Sequence, residues 1–299
     1  MLCNVVVRER ALLDDLREPI LITAFSSMQK GGATAPAALG YALEQLEARP
    51  VAEIEAMDCY NFARMRPWVR RERDTTVVDW PRNVVYRYEA PEQTVLALVG
   101  VEPTLNWPGF VTAIADFAQR AGVETALNLK AVGAMVPHTS PSPVRAIYSQ
   151  PDLIQQFGLP VLEEQEGPGD IGRILNLQLA RGGCRTVDIY ACEPFYSVSI
   201  PDAGASLALV ETLQRIIGVD VDTRQLNEAC EVQQRAIDVA TKESQQLRET
   251  VEAVEHRARV AGLIDNPRLQ LNKTNPIEAS EVLAEAESIL GSFRPSGPE

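Results

Sequence analysis

Short continuous apolar runs alternate along this chain with three-and-four spaced apolar stripes, and that alternation predicts strands separated by helices. After Pro19, Ile20 to Phe25 reads as a buried strand bounded by Ser26-Ser27. Lys30-Gly31-Gly32 then leads into an alanine-rich helix over Ala33 to Leu46, and Val51 to Met57 returns as a second strand. Thr94 to Val101 is apolar throughout, as expected of a strand covered on both faces. Pro108 to Ala121 carries Phe110, Ile114 and Phe117 on one helical face, and Val123 to Ala131 follows as a strand. Val144 to Ser149 reads as a short strand, Ile171 to Ala180 as a helix stopped by Gly182-Gly183, and Arg185 to Cys192 as another strand. Asp202 caps a helix from Ala203 to Ile217, which Gly218 ends. Thr76 to Tyr88, rich in Val, Tyr and Trp around Pro81-Arg82-Asn83, predicts a hairpin at a sheet edge.

From Asp222 onward no strand is predicted. Asp222 caps a long helix reaching about Val260, with an apolar seam that includes Leu226, Ile237, Leu247, Val251 and Val254. Polar Gln233 and Ser244 interrupt the seam, so the helix is expected to pack on the main domain or on another subunit. Asn266-Pro267 to Asn275-Pro276 breaks it, and Ile277 to Leu290 supplies a second amphipathic helix, completing a helical hairpin. The expected organisation is an α/β core over 1–220, a helical extension over 221–291 and a disordered tail over 292–299.

Composition narrows the function. With 45% hydrophobic and 23% charged residues among 299, a packed interior is expected. A net charge of -13 argues against nucleic acid and anionic membrane as partners, since both select clustered Lys and Arg. The local exception is Arg64, Arg66, Arg70, Arg71 and Arg73 around Trp68, read as a solvated loop. Five scattered cysteines lack zinc spacing; with no cationic apolar leader at Met1 to Arg17 and no membrane-length apolar run, they favour a cytoplasmic protein without a metal or cofactor.

Gly167-Pro168-Gly169-Asp170-Ile171-Gly172 satisfies the letters of a dinucleotide fingerprint and contradicts its physics. Glu163, Glu164 and Glu166 precede the glycines, and Asp170 is placed to cap the following helix, so a polyanion would meet like charge. No serine sits in G-x-S-x-G, and His138 is the one plausible imidazole base because His256 falls on the polar side of the long helix. Lys30-Gly31-Gly32, Glu102, His138 and Glu193-Pro194-Phe195-Tyr196 all follow strands, which predicts convergence on the carboxyl rim of the sheet. The candidate pocket comprises Lys30, Gly31, Gly32, Glu102, Trp107, His138, Gly167, Gly169, Asp170 and Tyr196, with no catalytic set assigned.

The order of these pieces resembles a known family. Gly100-Val101-Glu102-Pro103 with Trp107 and Phe110, then Pro137-His138-Thr139, then Glu166 through Leu175, then Glu193-Pro194-Phe195-Tyr196, is similar to the bacterial branch of the proteasome assembly chaperone type 2 family. The resemblance implies a three-layer α/β/α sandwich like that of purine nucleoside phosphorylases, followed by a C-terminal helical extension. It implies chaperone function in archaeal and eukaryotic members and no established reaction in bacterial ones. This chain departs from the family at Ser26 to Gly32, where many bacterial members carry G-W-x-D-A-G, and it ends in Ser296-Gly297-Pro298-Glu299 rather than in a hydrophobic-Tyr-X docking tail. The expected function is non-enzymatic: protein–protein contact and self-association, with a trimer suggested by the phosphorylase-like fold. The alternative is a small-molecule binder or a phosphorylase- or hydrolase-like enzyme using the rim pocket.

Overall fold

A computed structural model describes residues 4–7, 13–163, 166–197 and 201–260. In chain order the strands are β1 (Asn4–Val7), β2 (Ile20–Ser26), β3 (Arg49–Glu55), β4 (Trp68–Glu72), β5 (Thr75–Asp79), β6 (Val84–Glu89), β7 (Thr94–Val101), β8 (Thr125–Ala134), β9 (Val144–Tyr148) and β10 (Arg185–Pro194). The helices are α1 (Thr34–Gln45), α2 (Trp107–Arg120), α3 (Asp152–Phe157), α4 (Ile171–Arg181), α5 (Ala203–Ile217), α6 (Arg224–Glu243) and α7 (Gln245–Val260).

Eight strands form one mixed sheet in the order β1-β3-β6-β7-β2-β8-β10-β9, whose centre, β7-β2-β8-β10, is parallel. Alternate residues of the apolar run in β2 face opposite ways, which is why the run is continuous. Ile20, Ile22 and Ala24 join α1, α5 and the start of α6 in one buried cluster; Leu21 joins α2 and α4 in the other. The protein is thus α/β, with helices on both faces of the sheet and further helices at its C-terminal side.

Asp170 and Asp202 cap α4 and α5 as expected, accepting the Arg173 and Ala205 N–H groups at 3.1 and 2.9 Å. The turn after β2 needs glycine at position 31, where φ is +84° and a β-carbon would lie 2.3 Å from the Ala131 carbonyl oxygen.

Three expectations are corrected. Thr76 to Tyr88 is not a hairpin: β5 pairs with β4 as a separate two-stranded ribbon, whereas β6 enters the main sheet antiparallel to β7 and β3. Pro81-Arg82-Asn83 links strands that do not pair with each other, because Asn83 is committed elsewhere, accepting the Val101 N–H at 2.9 Å and donating to Tyr60 Oη at 2.8 Å. The arginine cluster is accordingly not a loop throughout, since Arg70 and Arg71 lie on β4, with Arg70 ion-paired to Glu72 and Asp79. Finally, the long helix divides at Ser244, whose extended backbone (φ -117°, ψ 114°) separates α6 from α7. The helix starts at Arg224, and Asp222 accepts that residue's N–H at 3.0 Å. The second helix expected over Ile277 to Leu290 and the tail lie outside the described residues.

Cys59 is disulfide-bonded, whereas Cys184, Cys192 and Cys230 are free. Among the described residues no helix is long and apolar enough to cross a membrane, and no group of three metal-ligating side chains comes together.

Candidate functional site

Lys30, Glu102 and His138 all lie in loops that leave the carboxyl ends of parallel strands, β2, β7 and β8 respectively. The loop after β2 enters α1 on one face of the sheet, and the loop after β7 enters α2 on the other. A crevice between adjacent strands at such a point is where open α/β sheets hold ligands. Here Lys30, Gly31, Gly32, Glu102 and Asp170 line one cleft together with Asn128 and Lys130. Its cavity of ≈ 20 Å³ has room for about one water molecule.

The cleft is small because its charges are already paired. Lys130 Nζ sits 2.7 Å from Asp170 Oδ2, and Lys30 Nζ sits 3.2 Å from Glu193 Oε1. Glu102 Oε2 accepts the Ile171 N–H at 3.1 Å, so two carboxylates of the protein occupy the positive end of α4. Burial raises the Glu102 pKa, the Ile171 N–H opposes the rise, and the neighbouring Asp170 adds to it.

Beneath the cleft lies a polar row that sequence reasoning missed. Thr23, Asn128 and Asp188 stand side by side on β2, β8 and β10, each almost wholly buried. Thr23 Oγ1 donates to Asn128 Oδ1 at 3.3 Å, and Asn128 Nδ2 donates to Asp188 Oδ1 at 3.0 Å. From α4, Asn176 Nδ2 donates to the same oxygen at 3.0 Å, and Arg173 Nη1 reaches Asp188 Oδ2 at 2.6 Å. Gly172 lets the helix come this close, since a β-carbon there would lie 2.1 Å from Asn128 Oδ1. Burial pushes the Asp188 pKa up to about 6, against the opposing pull of Arg173 and Asn128. The available signal was a polar residue near the middle of each of the three strands.

His138 and Tyr196 form a second cluster instead of joining the cleft. Tyr196 Oη accepts the His138 backbone N–H at 2.9 Å and lies 2.8 Å from the ring Nδ1. Nε2 faces Asp238 Oδ1 of α6 at 3.3 Å; a carboxylate only accepts, so in the neutral ring the hydrogen sits on Nε2 and Nδ1 accepts the Tyr196 hydroxyl. With both nitrogens engaged, the imidazole is a strut between the β8 loop and α6 rather than an available base. Burial pushes the Tyr196 pKa up to about 12. Thr139 Oγ1 extends the contact to Glu255 on α7 at 3.1 Å. Trp107 packs against the α2–α4 core cluster and donates Nε1–H to the Pro103 carbonyl at 2.6 Å. Gly167 has no neighbour within 4 Å of its β-position, and Gly169 meets Ile174, so neither lines the cleft.

A roomier surface groove of ≈ 320 Å³ lies between α1 and α6, bounded by Tyr41, Gln45 and Glu228 among others, and none of the expected pocket residues lines it.

The sequence from residue 24, within β2, to residue 241, within α6, matches the PAC2 family. The chain belongs to the PAC2 family. Its fold is similar to that of a Mycobacterium tuberculosis protein of unknown function, at 26% identity over 86% of this chain and 89% of that one, with a TM-score of 0.75. A PAC2 family protein from Streptomyces avermitilis is 27% identical over 78% of this chain and 99% of its own, at a TM-score of 0.69. A proteasome-assembly chaperone homologue from Mycobacterium tuberculosis is 26% identical over 78% and 99% of the two chains, at 0.68. No curated protein matches the chain.

Proposed function

We propose that this PAC2 protein works by protein–protein contact rather than catalysis, and that it self-associates through the β4–β5 ribbon. The observation that carries this reading is the exposure of the ribbon: every residue of β4 is exposed, with Trp68 at 66% and Val69 at 62%, and Val78 and Trp80 are exposed beside them. A lone two-stranded hairpin is marginal in water, and this one leaves apolar side chains exposed on both faces, Val69 beside Val78 on one and Trp68 on the other. The likeness to a proteasome-assembly chaperone homologue supports an assembly-factor role. A trimer is the size suggested by the phosphorylase-like reading of a sheet held between two helical layers.

Sedimentation velocity of the full chain tests it. The wild type is expected to sediment as an oligomer and the Trp68→Glu, Val69→Glu variant as a monomer. A wild type that stays monomeric at all practical concentrations, or a variant of unchanged mass, overturns the reading.

A second reading, a small-molecule site in the cleft at the carboxyl ends of β2, β7 and β8, draws on the buried Asp188 with its raised pKa, which is hydrogen-bonded to the cleft residue Asn128. It requires the Lys130–Asp170 or Lys30–Glu193 pair to open for the ligand. Thermal-shift screening with nucleosides, nucleotides and amino acids examines it, because a specific ligand stabilises the native state by mass action. Shifts that persist unchanged in Glu102→Gln would remove its support.

A further inference from the structure

The β4–β5 ribbon and its approach are basic as well as exposed. Residues 64–80 carry Arg64, Arg66, Arg70, Arg71 and Arg73 against Glu72, Asp74 and Asp79. Arg70 takes up two of the three acids, Glu72 at 3.0 Å and Asp79 at 2.9 Å. The other four arginines are exposed and have no ion pair among the described residues, and Asp74 is the one acid of the segment left beside them. Cross-strand register puts Arg71 on the same face as Val69, Thr76 and Val78, so an unpaired guanidinium borders the apolar side chains that a contact would cover.

The rest of the molecule has the opposite sign. The chain holds 28 Lys and Arg and 41 Asp and Glu, of which the segment accounts for five and three, so the remaining residues carry a net charge of -15. That excess bears on how two copies meet. In a two-fold contact the same patch lies against itself, and ribbon on ribbon would set the unpaired arginines of one copy against those of the other. In a head-to-tail contact the ribbon of one copy lies on a different part of the next, where carboxylates outnumber cations and the arginine fork finds its complement.

We infer that the ribbon docks on an acidic surface of a second copy, outside that copy's own ribbon, so that the contact is head-to-tail. The inference rests on the self-association reading above and adds the chemistry and the symmetry of the contact. A two-fold ribbon contact stops at two copies, whereas a head-to-tail contact recurs from copy to copy and closes into a ring, a three-membered ring included.

Affinity-tagged wild type is co-expressed with untagged Trp68→Ser, Val69→Thr chain, and the tagged chain is recovered. The variant lacks a working ribbon but keeps the surface that receives one, so it is expected to co-purify with wild type. A wild type that stays oligomeric yet recovers none of the variant overturns the inference and leaves self-association standing. A wild type that is monomeric at all practical concentrations leaves the ribbon to a different molecule and overturns both. Salt and charge supply readouts that do not depend on that variant. Sedimentation of the wild type at about 50 and about 300 mM NaCl is expected to give a dissociation constant at least about threefold larger at the higher salt, because screening weakens attraction between opposite charges. Arg71→Gln with Arg73→Gln is expected to weaken association by about threefold or more. Association that is unchanged or tighter, at the higher salt or in Arg71→Gln with Arg73→Gln, is the behaviour of arginines facing arginines or facing no charge, and overturns the inference.

Discussion

Asp188 is a carboxylate with no exposed surface in the middle of the central sheet, whereas Trp68 is an indole 66% exposed on a ribbon that, among the described residues, forms its own two-stranded sheet. Each inverts the ordinary partition of polar and apolar residues, and the two differ in where the compensation comes from. Around Asp188 it is internal: Arg173, Asn128 and Asn176 supply its partners from the helix and strand packed against it. Around Trp68 no side-chain hydrogen bond or ring contact is found among the described residues, and in the proposed function the compensation comes from another molecule. A buried polar group is therefore a statement about this fold's own integrity, and an exposed apolar ribbon is a statement about assembly.

The contrast breaks most sharply at Arg173. Arg173→Met leaves the Asp188 carboxylate buried without its cation, a loss that costs about 3–5 kcal/mol in comparable settings. Urea unfolding at pH 7 should show it, and the additional change Asp188→Asn should recover most of it by removing the stranded charge while keeping an acceptor for Asn128 and Asn176. A cost below about 1 kcal/mol for Arg173→Met would mean that the pair is not desolvated as the structure has it.

Acidity probes the same group with a slightly smaller effect. Burial raises the Asp188 pKa from an ordinary 3.8 to about 6, so the native chain holds this proton more tightly than the unfolded chain. The associated stabilisation is complete below about pH 4 and is lost as pH rises through about 6, by about 3 kcal/mol in all. Wild type compared with Asp188→Asn across pH 4 to 7 isolates this contribution from the other titrating carboxylates. A pH-independent difference between the two proteins would show that Asp188 is not the group responsible.

Gln233 carries the comparison to the C-terminal helices, where the effect is smaller again. Its Oε1 accepts the Ala203 N–H at 2.7 Å, and its Nε2 donates to Asp202 Oδ2 at 2.6 Å and to Ser197 Oγ at 3.2 Å. Gln233→Ala strands these groups at the start of α5 and should cost about 1–3 kcal/mol by the same unfolding measurement. If it costs nothing, α6 is held by its apolar contacts alone and its polar position carries no packing information.

Much of this architecture was legible in the sequence. The parallel strands, α1, α2, α4 and α5 and the caps Asp170 and Asp202 follow from period, glycine stops and capping residues, all of which are local signals. Register is not local. Thr23, Asn128 and Asp188 each read as an ordinary polar position of its own strand, and only the cross-strand pairing of Thr23 with Asn128 and of Asn128 with Asp188 joins them. The candidate pocket was half legible for the same reason. Topology correctly brought Lys30, Glu102 and His138 to one edge, but whether side chains on a shared edge meet depends on what packs above them. Asp170 draws Lys130 toward the cleft, while Tyr196 and α6 draw His138 away from it. The division at Ser244 shows how little a continuous apolar stripe says about backbone continuity, since α6 and α7 both keep their buried faces across it.

The ribbon supplies the smallest effect on the fold and the clearest contrast. Trp68→Ser with Val69→Thr removes mostly exposed apolar surface that belongs to neither buried core cluster, so the stability of the monomer should change by less than about 0.5 kcal/mol. The same pair of substitutions should abolish any dependence of the melting temperature on protein concentration, because an oligomer is stabilised by mass action and a monomer is not. Melting curves over a hundredfold concentration range report both quantities in one experiment. A large loss of monomer stability would mean that the ribbon is held from within the chain, as Asp188 is, and the distinction between the two regions would collapse.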